Sequence, residues 1–212
     1  MSLSLSRSVG LCAAALAVAV CPMLPATAAP TATALAAASR ADVPGLPPIG
    51  AEVPVSMLAL GSTFEYGGTT YSLDFQGGTK QRVEPNNDNP TTSVRLRTLG
   101  FQVMAQADDG SSITLELSGA DTEAASTLTL TQQFPPIIEE RDVISITATI
   151  TRPGQEPVTL DSKDPMVLLA RHLRAYPPQR EIYQLQQPVE LADRAGHTAA
   201  TLWHFPAMRG YL

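Results

Sequence analysis

From Val53 onward the chain alternates apolar and polar residues in short runs separated by Gly, Pro, Asn and Asp. That period of two is the signature of half-buried β-strands, and the interruptions are turn chemistry. Phe64 and Tyr66 alternate with polar neighbours, Gly67-Gly68 supply a tight hairpin, and Tyr71, Leu73 and Phe75 continue the pattern as far as Gly77-Gly78, which reads as a second turn. Residues 92–118 make the clearest hairpin. Val94, Leu96 and Thr98 share one side and Arg95 and Arg97 the other, but beyond Gly100 the apolar phase passes to Phe101, Val103 and Ala105. A period-two pattern changes phase only by inserting a residue, so a β-bulge is predicted near Leu99-Gly100. Asp108-Asp109-Gly110 then turns the chain into Ile113, Leu115 and Leu117.

Alternation returns at Thr127–Gln133 and at Val143–Thr151, where Ile144, Ile146, Ala148 and Ile150 share a face. Arg152-Pro153-Gly154 leads toward Val158 and Leu160, while Pro135-Pro136 and Pro177-Pro178 mark connections where strand pairing cannot continue. One segment departs from this texture. Asp164-Pro165 resembles an N-cap and first turn; Met166, Leu169, Leu173 and Tyr176 fall at helical spacing, and Pro177 ends the run. A short helix is predicted there, with a strand through Met166–Ala170 as the rival, since a short continuous apolar run is ambiguous by period. Ile182–Leu191 and Ala199–Phe205 read as closing strands around an Ala195-Gly196 turn. Eight to ten short strands with at most one helix predict an all-β, antiparallel two-sheet sandwich over residues 51–212; a barrel is the alternative, because hairpin-linked strands build both.

The first 28 residues read differently. Arg7 precedes an apolar run from Val9 to Val20, followed by Pro22, Pro25 and Ala26-Thr27-Ala28. This tripartite pattern predicts a secretory signal peptide cleaved after Ala28 or Ala29, hence a secreted, extracellular product. The run is well short of the roughly 20 residues a membrane-spanning helix needs, so a spanning protein is not expected. Both cysteines, Cys12 and Cys21, fall in this segment, and the mature chain would hold no disulfide. Lipid attachment at Cys21 is the alternative localisation, disfavoured by the bulk of Val20. Residues 29–50, almost all Ala, Thr and Pro, read as a disordered leader.

Charge removes one class of partner. With 14 Lys and Arg against 20 Asp and Glu, a net charge of −6 and the basic residues spread singly, the chain offers no footprint for nucleic acid.

Candidate chemistry is sparse. There is no Gly-x-Ser-x-Gly elbow and no mature cysteine for a thiol nucleophile. His172, His197 and His204 are the three histidines open to a triad. His197 and His204 flank the last turn, where a hairpin would bring them together as a two-His metal site. Glu84, Asn86 and Asp88 place oxygen ligands at alternate positions, as calcium loops do, but without the loop glycine or the distant bidentate glutamate. The Glu139-Glu140-Arg141-Asp142 run offers paired carboxylates and reads more simply as a solvated approach to a strand. Trp203 and Phe205 alternate and are assigned to the core, with an exposed docking tail over 203–212 as the rival. No catalytic, metal or cofactor residue is therefore assigned. The favoured function is a secreted, non-catalytic binding module for a protein or a small apolar ligand. The alternatives are a barrel that carries an apolar small molecule and a hydrolase whose site has no motif.

Overall fold

The computed structural model describes residues 42–210. The signal peptide expected at 1–28, Cys12, Cys21 and the leader up to residue 41 lie outside the described residues. Thirteen antiparallel strands follow one another without a helix: β1 (Glu52–Tyr66), β2 (Thr69–Pro85), β3 (Ser93–Gln106), β4 (Ser112–Leu117), β5 (Ser126–Gln132), β6 (Ile137–Ile144), β7 (Ile146–Thr151), β8 (Val158–Ser162), β9 (Met166–Leu173), β10 (Glu181–Leu185), β11 (Val189–Ala192), β12 (Thr198–His204) and β13 (Ala207–Arg209). The all-β antiparallel expectation holds. The strand pairing closes on itself twice, which favours the barrel over an open two-sheet stack. The pairing of β3 with β5 closes a first ring, β1-β2-β3-β5-β6-β9-β10-β13, and the pairing of β12 with β1 closes a second, β1-β2-β3-β4-β7-β8-β11-β12.

The two rings share the three longest strands. β1 pairs with β13 over Met57–Ala59 and with β12 over Thr63–Tyr66, while β3 pairs with β5 over Ser93–Leu96 and with β4 over Gln102–Gln106. Each shared outer strand changes partner at a bulge. In β3 the register slips between Lys80↔Gly100 and Gln81↔Thr98, leaving Leu99 as the extra residue at the predicted place. In β1 the slip lies between Ala59 and Ser62, with Gly61 at φ 65°. The extra residue moves the phase by one along the sequence while keeping the same side of the sheet inward, so Thr98 and Phe101 are both buried.

Gly67-Gly68 form the β1–β2 turn, both at positive φ. Gly77-Gly78 do not turn the chain. They lie inside the 17-residue β2, where a Cβ on Gly77 would collide with the Gln102 carbonyl and one on Gly78 would come within 2.8 Å of the Val55 carbonyl. Here glycine serves close approach of backbones where the sheet bends between rings.

The helix expected at 164–176 is a strand. Met166, Leu168 and Ala170 are buried at period two; a register slip at Arg171-His172 then shifts the phase, so Leu173 is buried as well. The spacing of seven between Met166 and Leu173 is the product of a strand bulge, and it imitates two helical turns. His172, at φ 65°, occupies that bulge.

The folded chain also begins earlier than Ala51. Val43 and Leu46 belong to the core, Gly50 N–H donates to the Val83 carbonyl and Ile49 N–H to Asp42 Oδ1. Val43 and Leu46 pack among the strand ends, so the segment 42–50 lies as a strap over one mouth of the first ring.

Candidate functional site

Two features of the first ring stand out: its strapped mouth and its interior. At the mouth, the strap meets the β2–β3 connection (86–92) and the β5–β6 connection (133–136), and an apolar crevice lies on each side of Thr91. One, of about 270 Å³, is formed by Val43, Ile49, Pro85, Pro90 and Val94, with the amides of Asn86 and Asn87. The other, of about 480 Å³, is formed by Pro44, Gly45, Leu130, Phe134 and Pro136, with Thr91 and Gln133. Among the described residues no ionisable side chain lines either. Phe134 stands 91% exposed at the rim, an unusual position for an aromatic ring with nothing covering it. The connection is held firmly: Asn86 Nδ2 donates to Ser93 Oγ, Asp88 N–H to Asn86 Oδ1 and Thr92 Oγ1 to Asn89 Oδ1. A pair of apolar clefts with a few fixed amide and hydroxyl groups can take up a neutral molecule; it holds nothing that would move a proton.

The interior below is polar. Glu140 and Asp142 from β6, Tyr183 from β10, Gln81 from β2 and Arg209 from β13 are all fully buried. Arg209 Nη1 donates to Glu140 Oε1 at 2.8 Å and Nη2 to Asp142 Oδ2, while its guanidinium lies 4.1 Å from the centre of the Tyr183 ring. Tyr183 O–H donates to Glu140 Oε2; Gln81 Nε2 donates to Asp142 Oδ1 at 2.8 Å, and Tyr176 O–H to Gln81 Oε1 at 2.8 Å. One hydrogen-bonded chain thus runs from Tyr183 through Glu140, Arg209, Asp142 and Gln81 to Tyr176. Burial, reinforced by the neighbouring Asp142, pushes the Glu140 carboxyl up to about 8. Burial also raises the Tyr183 and Tyr176 phenols, with Glu140 adding to both. For Arg209 burial disfavours the charge, but the two carboxylates more than offset it and hold the guanidinium protonated. Thr98 Oγ1 and Arg209 Nε are buried without a partner among the described residues.

Sequence reasoning took Glu139–Asp142 for a solvated run. Only Glu139 and Arg141 face outward. Glu140 and Asp142 share the parity of Ile138 and Ile144, and that alternation was the signal that places them inside.

The remaining candidates are dispersed. His197 and His204 lie just before and at the end of β12, so an extended chain holds them about 23 Å apart at the usual strand rise and no hairpin brings them together. His197 sits 3.8 Å from Asp193; His204 Nδ1 is 3.4 Å from the Gly61 carbonyl; His172 is exposed. No serine and aspartate converge on any of them in the hydrogen bonds of the described residues. Glu84 and Asp88 are committed to Arg97 and Arg95, and the Arg97 hydrogen bond holds the Glu84 carboxyl below its ordinary range. Among the described residues no group of three or more His, Cys, Asp or Glu is placed to hold a metal. Trp203 and Phe205 part company: Phe205 is buried against Phe75 with ring centres 5.6 Å apart, whereas Trp203 is half exposed and its Nε1 donates to Glu65. The pairing ends at His204, so the alternation that would have kept both rings on one side stops between them. Residues 207–209 form no docking tail but close the first ring as β13.

No protein-family model and no characterised protein sequence matches the chain. Among solved structures it resembles DynF from the dynemicin biosynthesis pathway of Micromonospora chersina, with a TM-score of 0.60 at 19% identity, over 79% of this chain and 83% of that one. The likeness is one of fold.

Proposed function

We propose that the chain is a secreted, non-catalytic binding protein that takes a small, uncharged, apolar molecule at the strapped mouth of its first ring. The observation that carries this reading is the pair of apolar crevices around Thr91, with Phe134 exposed at their rim and, among the described residues, no charged side chain in either lining. Burying an ionised ligand group there would leave it unpaired, which disfavours carboxylates, phosphates and amines. The barrel-like fold shared with DynF, a protein of a biosynthesis pathway, adds support for a small-molecule ligand. The dispersed histidines and committed carboxylates support the non-catalytic part, and the pattern of residues 1–28 supports export.

The test uses the full exported chain and the neutral dye Nile red. Saturable one-to-one binding with a blue-shifted emission is expected, together with loss of binding in Thr91→Arg, which sets a charge between the two crevices. Binding unchanged by that substitution overturns the site. Export is tested separately by the N-terminal sequence of the mature product, expected to start at Ala29 or Pro30.

A further inference from the structure

The interior of the first ring contains an arithmetic that the mouth does not need. Two carboxyl groups, Glu140 and Asp142, face a single guanidinium, Arg209, and all three are fully buried. The other groups that hydrogen-bond the two carboxyls are neutral: Tyr183 from β10 on Glu140, and on Asp142 Gln81 of β2, which in turn accepts from Tyr176 of the β9–β10 connection. From β9, the strand paired beside β6, only Met166, Leu168, Ala170 and Leu173 are buried, and from β5 only Ser126, Leu128 and Leu130. Among the described residues no second cation reaches the cluster. A closed interior of this kind cannot hold two carboxylates against one positive charge without an uncompensated buried anion, so one carboxyl keeps its proton.

Position gives that proton a lever. Arg209 is the last residue of β13, a three-residue strand that closes the ring between Met57–Ala59 of β1 and Glu181–Tyr183 of β10. Six residue pairs make its ladder, extended at Gly210 by hydrogen bonds to the Ser56 carbonyl and from the Arg180 N–H, and its deepest anchor is the guanidinium held by the two carboxyls. We propose that Glu140, Asp142 and Arg209 form a proton-controlled latch on β13: with one carboxyl protonated the first ring is closed, and loss of that proton favours release of β13 from between β1 and β10. This goes beyond the binding function proposed above and does not depend on it.

The sign follows from where the proton is held. In the closed ring Glu140 keeps its proton up to about pH 8; once β13 leaves and water enters, the carboxyl returns toward its ordinary value near 4.5. Between those values the closed form binds a proton that the open form has lost, so opening gains about tenfold per pH unit from pH 5 to pH 8 and levels off above. The latch therefore tightens on acidification.

Hydrogen–deuterium exchange read as protection factors on the whole protein, from pH 5 to pH 8, tests this. Peptides covering 181–185 and 207–210 are expected to lose protection by about tenfold per pH unit, while the protection of β8 and β11 peptides falls less. Glu140→Gln retains an acceptor for Arg209 and a neutral amide beside the Tyr183 hydroxyl, without a titrating proton, and is expected to hold the acidic level of protection across the range. Flat protection at 207–210 in the unmodified protein overturns the latch, and so does a Glu140→Gln profile that still falls with pH. The first of these measurements needs no substitution.

Discussion

The two rings are built on the same three strands and solve the same packing problem with opposite chemistry. The strands that belong to the second ring alone, β4, β7, β8, β11 and β12, bury Ile113, Leu115, Ile150, Leu160, Leu191 and Leu202 and, among the described residues, no polar side chain. The first ring buries Thr79, Gln81, Thr98, Ser126, Glu140, Asp142 and Arg209 beside its aliphatic residues. An apolar interior is stable at any pH and indifferent to which large residue fills it, within volume. A hydrogen-bonded ionic interior is stable only while each partner is present and correctly protonated. The difference teaches that one continuous sheet can hold a conditional half and an unconditional half, joined at Phe75 and Phe205.

The largest expected effect breaks the conditional half. Arg209→Ala leaves two carboxyls buried without a cation and should cost about 3–5 kcal/mol in urea unfolding. Replacing the triad together, Arg209→Met with Glu140→Leu and Asp142→Leu, makes the first ring resemble the second. It should restore most or all of that stability, because well-packed apolar residues commonly match or exceed a buried ionic cluster. Leu115→Ala in the second ring should cost about 3 kcal/mol through the cavity it leaves, with no companion change that reverses it.

The effect of pH is smaller and separates the halves by slope. The folded-state value of Glu140, about 8, lies above its unfolded value near 4.5, so its contribution is complete below pH 4.5 and lost as pH rises to 8. Urea midpoints of the unmodified protein and of Leu115→Ala should both decline across that window, by at most about 1.4 kcal/mol per unit, and those of Glu140→Gln should not. Glu84, whose carboxyl is held low by Arg97, acts in the opposite direction and only as pH falls below its ordinary range. The smallest effect on stability is expected from Phe134→Ser at the mouth, within about 0.5 kcal/mol. The same substitution should weaken Nile red binding several-fold, and unchanged dye affinity would move the ligand elsewhere.

How much of this was legible beforehand depends on what a period of two can carry. It carries which side of a strand is buried: Ile144, Ile146, Ala148 and Ile150 are all buried as read, and the phase change at Leu99 marked its bulge. It does not carry which strands meet, so the partner exchange of β1 and β3 that makes two rings left no trace in local pattern. Gly77-Gly78 looked like Gly67-Gly68 because glycine answers both to a turn and to a crowded backbone. Met166 and Leu173 looked helical because one inserted residue turns a period of two into a spacing of seven. Charge misled at Glu140 and Asp142: acidic residues are so often solvated that composition outweighed parity. The mouth was the least visible part, since Val43 and Ile49 sit in an Ala- and Pro-rich stretch and acquire meaning only against the ends of other strands.

Because each closure seals a ring, every one of the thirteen strands already has a neighbour on both flanks. Among the described residues no strand is left with a whole flank of unpaired amides and carbonyls to recruit a strand from another molecule, the usual route by which β-rich proteins template one another into fibrils. The exception is conditional: if three-residue β13 departs, it uncovers the flanks of β1 and β10 together, and resistance to self-association rests on its shortest segment.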